Sequence, residues 1–115
     1  MRLNELRARF PACVAVAYCD LSNGMVLCAS SQQKLLQEQV DQMGFSAAEL
    51  LNSHEFLTEP VQSAILVQGA FISLILRSTG QPTEALYCDC VFDVDLPDFS
   101  QAADRVLTQI SACPA

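Results

Sequence analysis

The stretch that decides the fold is ACVAVAYCDLSNGMVLCA, residues 12–29. Ala12 to Asp20 is a continuous apolar run with β-branched and aromatic members, and Met25 to Ala29 is a second. Between them stands Asn23-Gly24, the pair best able to supply the two positive φ angles of a two-residue hairpin turn. A β-hairpin is therefore expected. Neither run has a polar face, so both strands are expected to be covered on both sides, in a sheet between helices. Cys13, Ala15, Ala17 and Cys19 fall on one face of the first strand, and their small side chains would let a helix approach closely.

Before the hairpin, Arg2 to Phe10 places Leu3, Leu6 and Phe10 at helical spacing, and Pro11 ends the run. After it, Ser30 or Ser31 can cap a helix whose apolar stripe is Leu36, Val40, Met43, Ala47 and Leu50. Beside that stripe lie Gly44, Ala48 and Leu51, mostly small, which could meet another helix at short distance. A glycine in mid-helix costs about 1 kcal/mol relative to alanine. Gly44 is then either a point of close contact in a continuous helix or the end of one helix, with Ser46 and Glu49 forming the capping box of the next.

Two further β runs follow, Val61 to Gln68 and Ala70 to Ser78, with a tight turn at Gln68-Gly69. A loop at Thr79 to Pro82 leads to a fifth strand, Glu84 to Val94, with Leu86, Cys88, Cys90 and Phe92 on one face. Phe99, Ala102, Ala103, Val106, Leu107 and Ile110 repeat at helical spacing, with Asp95 or Asp98 as N-cap. The order is α-β-β-α-β-β-β-α, in one α/β (α+β) domain over residues 1–115.

Composition narrows the function. Hydrophobic residues make up 51% and charged ones 17%, an apolar excess to be buried on two sheet faces or in a subunit interface. A net charge of −7 argues against nucleic acid or an anionic membrane as partner. Lys34, Arg77 and Arg105 stand far apart, and Arg2, Arg7 and Arg9 read as a solvated helix face. Met1 to Phe10 holds no apolar stretch of signal-peptide length, and no segment is long enough to span a bilayer, so the expected location is cytoplasmic. With no secretion signal, the six cysteines at 13, 19, 28, 88, 90 and 113 are expected to be reduced and buried.

The residues that could carry chemistry do not assemble into a motif. Cys88-Asp89-Cys90 sets two thiols on one strand face, but a zinc site needs four ligands, and neither a C-x-x-C pair nor a second histidine is present. His54 sits in a polar stretch with Asn52, Ser53 and Glu55 and is expected in a solvent-exposed loop. Asp89, Asp93, Asp95 and Asp98 lack the Gly and terminal Glu of an EF-hand. Asp89, in the middle of an apolar strand, must face solvent or pair, with Arg77 on the neighbouring strand as the candidate. No catalytic, cofactor or metal residue is assigned, and the chain is expected not to be an enzyme.

The element order, the D-x-x-x-G hairpin of Asp20 to Gly24 and the Ala29-Ser30 ending of the second strand resemble the Roadblock/LC7 domain, a relative of the profilin and longin folds. The resemblance implies a five-stranded antiparallel sheet in the order 2-1-5-4-3, with the long helix on one face and the terminal helices on the other. It further implies a homodimer formed through the long helix and the edge strand after it. Carried onto this chain, that interface is Gly44, Ala48 and Leu51 on the helix and Val61, Ser63, Ile65 and Val67 on the strand. Another protein, such as a small GTPase, is the implied partner. The segment GFSAAELL, residues 44–51, is also similar to one in PAS sensor domains, an alternative reading as a small-molecule sensor. It would require a cavity of about 300 Å³ between sheet and helices. Too few residues separate Leu51 from the third strand to hold the further helices of a PAS domain.

Overall fold

A computed structural model of the chain describes residues 2–52 and 61–112. The elements are α1 (Arg2–Arg9), β1 (Cys13–Asp20), β2 (Met25–Ser31), α2 (Gln37–Asn52), β3 (Ser63–Gln68), β4 (Phe71–Arg77), β5 (Glu84–Val91) and α3 (Leu96–Ala112). The strands form one antiparallel sheet in the order β2-β1-β5-β4-β3, as the resemblance implied. His54 and Cys113 lie outside the described residues.

Two cores sandwich the sheet. On one face Leu3 and Leu6 of α1 and Phe99, Ala103 and Leu107 of α3 pack on Val16, Leu74, Leu86 and Cys88. The rings of Phe10 and Phe99 meet edge to face, 5.2 Å apart, and fix α1 against α3. On the other face Met43, Ala47 and Leu51 of α2 pack on Ala15, Ala17, Cys19, Ile75 and Tyr87. The small residues of β1 do let α2 lie close, but Cys13 is not among them. A register irregularity between Cys13 and Ala15 turns Cys13 to the α1/α3 side, opposite Cys90.

Several local expectations change for physical reasons. The β1-β2 connection is a four-residue loop, Leu21 to Gly24, because Leu21 drops into the core and Gly24 donates its N–H to the Asp20 carbonyl. Only Gly24 of this loop has positive φ, and the Asp20 carboxylate accepts from the Ser22 N–H and hydroxyl. β2 is an edge strand covered less fully than expected, with Met25 and Leu27 more than half exposed. Ser30 and Ser31 remain in β2 rather than capping α2, and Ser30 instead accepts from the Arg7 guanidinium of α1. Phe92 lies past the end of β5 and is exposed. α3 starts earlier than its apolar repeat, at Leu96, with Asp95 accepting from the Asp98 N–H as N-cap and Pro97 in the first turn, where its missing N–H costs nothing.

α2 is continuous through Gly44, so the capping box at Ser46 and Glu49 is not used. Its buried residues are Met43, Gly44, Ala47 and Leu51, a stripe rotated from the expected one, and Leu36 stays 66% exposed. The rotation follows from the hairpin. Gly44 lies directly on Gly24, where any Cβ would run into the Gly24 carbonyl oxygen and come within 3.2 Å of Val26. Two glycines brought together, one per element, set the distance between helix and hairpin.

Candidate functional site

Two features of the sheet are not explained by folding alone: an open apolar edge and, on the α2 side, a carboxylate with no counter-ion among the described residues. The edge is β3, which among the described residues pairs only with β4. Its alternation sends Ala64 inward against the α2 core, while Ser63, Ile65 and Val67 point to the other side. There the α1/α3 layer does not cover them, and Ile65 and Val67 are 59% and 64% exposed. No charged residue or proline interrupts the strand, so it has none of the features that keep an edge from pairing.

The residues that the resemblance placed at an interface therefore divide. Ser63, Ile65 and Val67 form an exposed row on the edge strand. Val61 is half-buried beside the α2 core, and its carbonyl accepts from Arg77 Nε at 2.8 Å. Gly44 and Leu51 are buried against this chain's own sheet, and Ala48 is partly buried next to them. Their contacts are made within the chain. The apolar side chains that α2 and the residue before it do expose are Phe45 and Leu36, the second of which helical spacing places on the buried stripe.

Arg77 does not pair with Asp89. The antiparallel register of β4 and β5 puts Ser73 opposite Asp89 and Ala85 opposite Arg77, four residues away along β5. The Arg77 guanidinium, 8% exposed, donates instead to the carbonyls of Val61, Pro82 and Leu51 and to Asn52 Oδ1. It thereby supplies the cation that the last turn of α2 lacks. Asp89 accepts from Ser73 Oγ at 2.6 Å, and Ser73 accepts in turn from Tyr87 OH at 3.2 Å. Burial raises the Asp89 pKa, and hydrogen bonds from Ser73 and Tyr87 only partly offset it.

Two grooves open to solvent meet at this carboxylate. One of about 340 Å³ runs between α2 and β5, and one of about 270 Å³ runs between the chain entering α2 and β1. Leu35, Gln39 and Asp89 line both. Asp89 is visibly out of place in the sequence, but the grooves are not visible there, since their shared wall of Leu35 and Gln39 is placed by an α2 that begins at Gln37 rather than just after Ser31. Cys88 and Cys90 face the α1/α3 core beside Cys13. Among the described residues no three His, Cys, Asp or Glu side chains are grouped to hold a metal.

No protein-family model matches the chain, and no curated protein matches it. Solved structures do. The chain is similar to a Roadblock/LC7 domain from Streptomyces avermitilis, with 13% identity over 96% of this chain and 92% of that one, at a TM-score of 0.81. It is similar to MglB of Myxococcus xanthus, with 12% identity over 96% and 92% of the two chains and a TM-score of 0.74. An MglB with a tetrameric arrangement gives 14% identity over 96% and 83%, and a TM-score of 0.76. At such identities the likeness is one of fold, which agrees with the strand order and the placing of helices already described. By its fold, the chain is a Roadblock/LC7-like domain.

Proposed function

We propose that the protein is a homodimeric, cytoplasmic interaction module that pairs through β3 and regulates a partner protein, with a small GTPase as the partner class that the Roadblock/LC7 resemblance implies. The observation that carries this reading is the β3 edge. A six-residue strand whose outer side meets no other strand among the described residues, with Ile65 and Val67 exposed beside it, is a surface suited to pairing with another strand. Antiparallel pairing of two copies about a two-fold axis would extend the sheet from five strands to ten and cover those side chains. The fold's appearance in a tetrameric MglB supports assembly as its mode of action. No helix among the described residues is long and apolar enough to cross a membrane. The module is read as non-enzymatic, acting through the surfaces it presents.

Mass in solution at micromolar concentration tests the proposal. The wild type is expected at twice the chain mass, and the double variant Ile65→Glu/Val67→Glu at the chain mass with an unchanged circular dichroism spectrum. These side chains are exposed in the single chain, so the change should cost the monomer little, within about 0.5 kcal/mol. A monomeric wild type would refute the proposal, as would a double variant that stays dimeric.

A further inference from the structure

We propose that the grooves meeting at Asp89 form a socket for a cationic side chain, the guanidinium of Arg or the ammonium of Lys, presented by a partner protein. This deepens the interaction-module reading and rests on it only for the existence of a partner. Asp89 lies at the junction of both grooves. Its hydrogen-bond donors are neutral hydroxyls, and Arg77, the cation on the neighbouring strand, is held by three carbonyls and Asn52. A half-buried carboxylate without a counter-ion is unfavourable unless something completes it.

The walls define what completes it. Leu35, Met43 and Phe71 offer an apolar lining along which the methylene stem of Arg or Lys can lie, and Gln39 offers a polar side chain beside the charged head. The surroundings are mostly acidic: α2 carries Glu38, Asp41 and Glu49 and no basic residue, with Glu38 on the groove wall, while Lys34, between the lining residues Gln33 and Leu35, is exposed to solvent and is not among the groups that shift Asp89. A protruding cation is drawn to such a field. A second copy of this chain meeting the socket through its own α2 would set acid against acid, so the occupant is a different, basic surface. The grooves are open, and their volumes sit at the low end for small-molecule pockets, about 300 Å³, which suits an inserted side chain better than an enclosed metabolite.

The test is a titration of the ¹⁵N-labelled full chain at pH 7 and low salt with the blocked dipeptide N-acetyl-leucyl-arginine amide, followed by amide chemical shifts. Saturable shifts are expected at Leu35, Gln39, Ser73 and Asp89, with millimolar affinity. The citrulline isostere, which keeps the shape and loses the charge, should bind about tenfold more weakly. Asp89→Asn should lose the preference for arginine over citrulline. Because the substituted amide could perturb the sheet locally, Gln39→Trp provides a second route, filling both grooves while leaving Asp89 intact, and should abolish the shifts. Equal binding of the two peptides, retention of the preference in Asp89→Asn, or shifts elsewhere only would overturn the proposal. Cadaverine binding more tightly than the peptide would assign the socket to free amines and overturn the partner side chain. Dimer mass is a separate readout, so failure here leaves the β3 proposal standing, and failure there leaves the socket standing.

Discussion

Replacing Gly44 by alanine sets two effects of opposite sign against each other. Gly44 is in the interior of α2, where alanine is favoured by about 1 kcal/mol on helix propensity alone. At this position, however, the added Cβ would lie 3.1 Å from the carbonyl carbon of Gly24 and closer still to its oxygen, inside the 3.0 Å that real Cβ contacts do not cross. The obstacle is backbone, in a hairpin held by the Gly24 N–H to Asp20 carbonyl bond, so it cannot swing away as a side chain could. α2 would have to retreat by roughly 1 Å, loosening Met43, Ala47 and Leu51 from the sheet, an overpacking cost at the upper end of the usual range, about 3 kcal/mol. The net expectation is a loss of about 2 kcal/mol, or a melting temperature about 8 °C lower for a domain of this size. Thermal and urea unfolding of the two proteins measure it. A Gly44→Ala variant that melts above wild type would show that helix propensity governs and that the glycine contact does not set the helix position.

Three further outcomes follow from the same geometry. Arg77→Lys should lose about 2–3 kcal/mol in urea unfolding, because a single ammonium cannot reach the separated carbonyls of Val61, Pro82 and Leu51 that the guanidinium fork joins. Asp89→Asn should be more stable than wild type at pH 7, with the advantage fading as pH falls. Burial raises this carboxyl's folded pKa, so the folded chain takes up its proton first, and the group opposes folding most above that pKa and least in the ordinary carboxylate range; unfolding at pH 7 and pH 4 gives the comparison, and a wild type more stable than the variant at pH 7 refutes it. The Cys19 thiol, pushed up to about 12 by burial, should resist alkylation at pH 8 while Cys28, half-buried on edge strand β2, reacts first among the described thiols, as peptide mass mapping will show.

What the sequence revealed and what it hid separate along one line. Element order, the core face of α3 and the edge position of β3 depend on local periodicity and a resemblance in order, and both survive without knowledge of any distance. The start of α2 does not. Ser30 and Ser31 satisfy every local rule for an N-cap, yet the pairing of Val16 with Ser30 and Ala15 with Ser31 keeps them in the sheet, and tertiary pairing overrides a signal worth about 1 kcal/mol. Gly44 shows the same limit, since both readings of it were local, a break or a contact with another helix, and the real cause is a glycine twenty residues earlier.

Asp89 carries that argument into function. Its oddity was visible in sequence, because a carboxylate amid Leu86, Tyr87, Cys88 and Cys90 breaks the apolar run, but the obvious remedy, Arg77, depended on a register that sequence does not fix. With Ser73 opposite Asp89 instead, the carboxylate is hydrogen-bonded but not neutralised. If stability alone had shaped this site, an uncharged residue would serve it better, as the pH argument for Asp89→Asn states. The one variant should therefore move stability and recognition in opposite directions, gaining the first at pH 7 and losing selectivity for arginine over citrulline. A site that is costly to the fold and selective for a cation is a binding site; a variant that changes neither property would reduce Asp89 to a tolerated irregularity of β5.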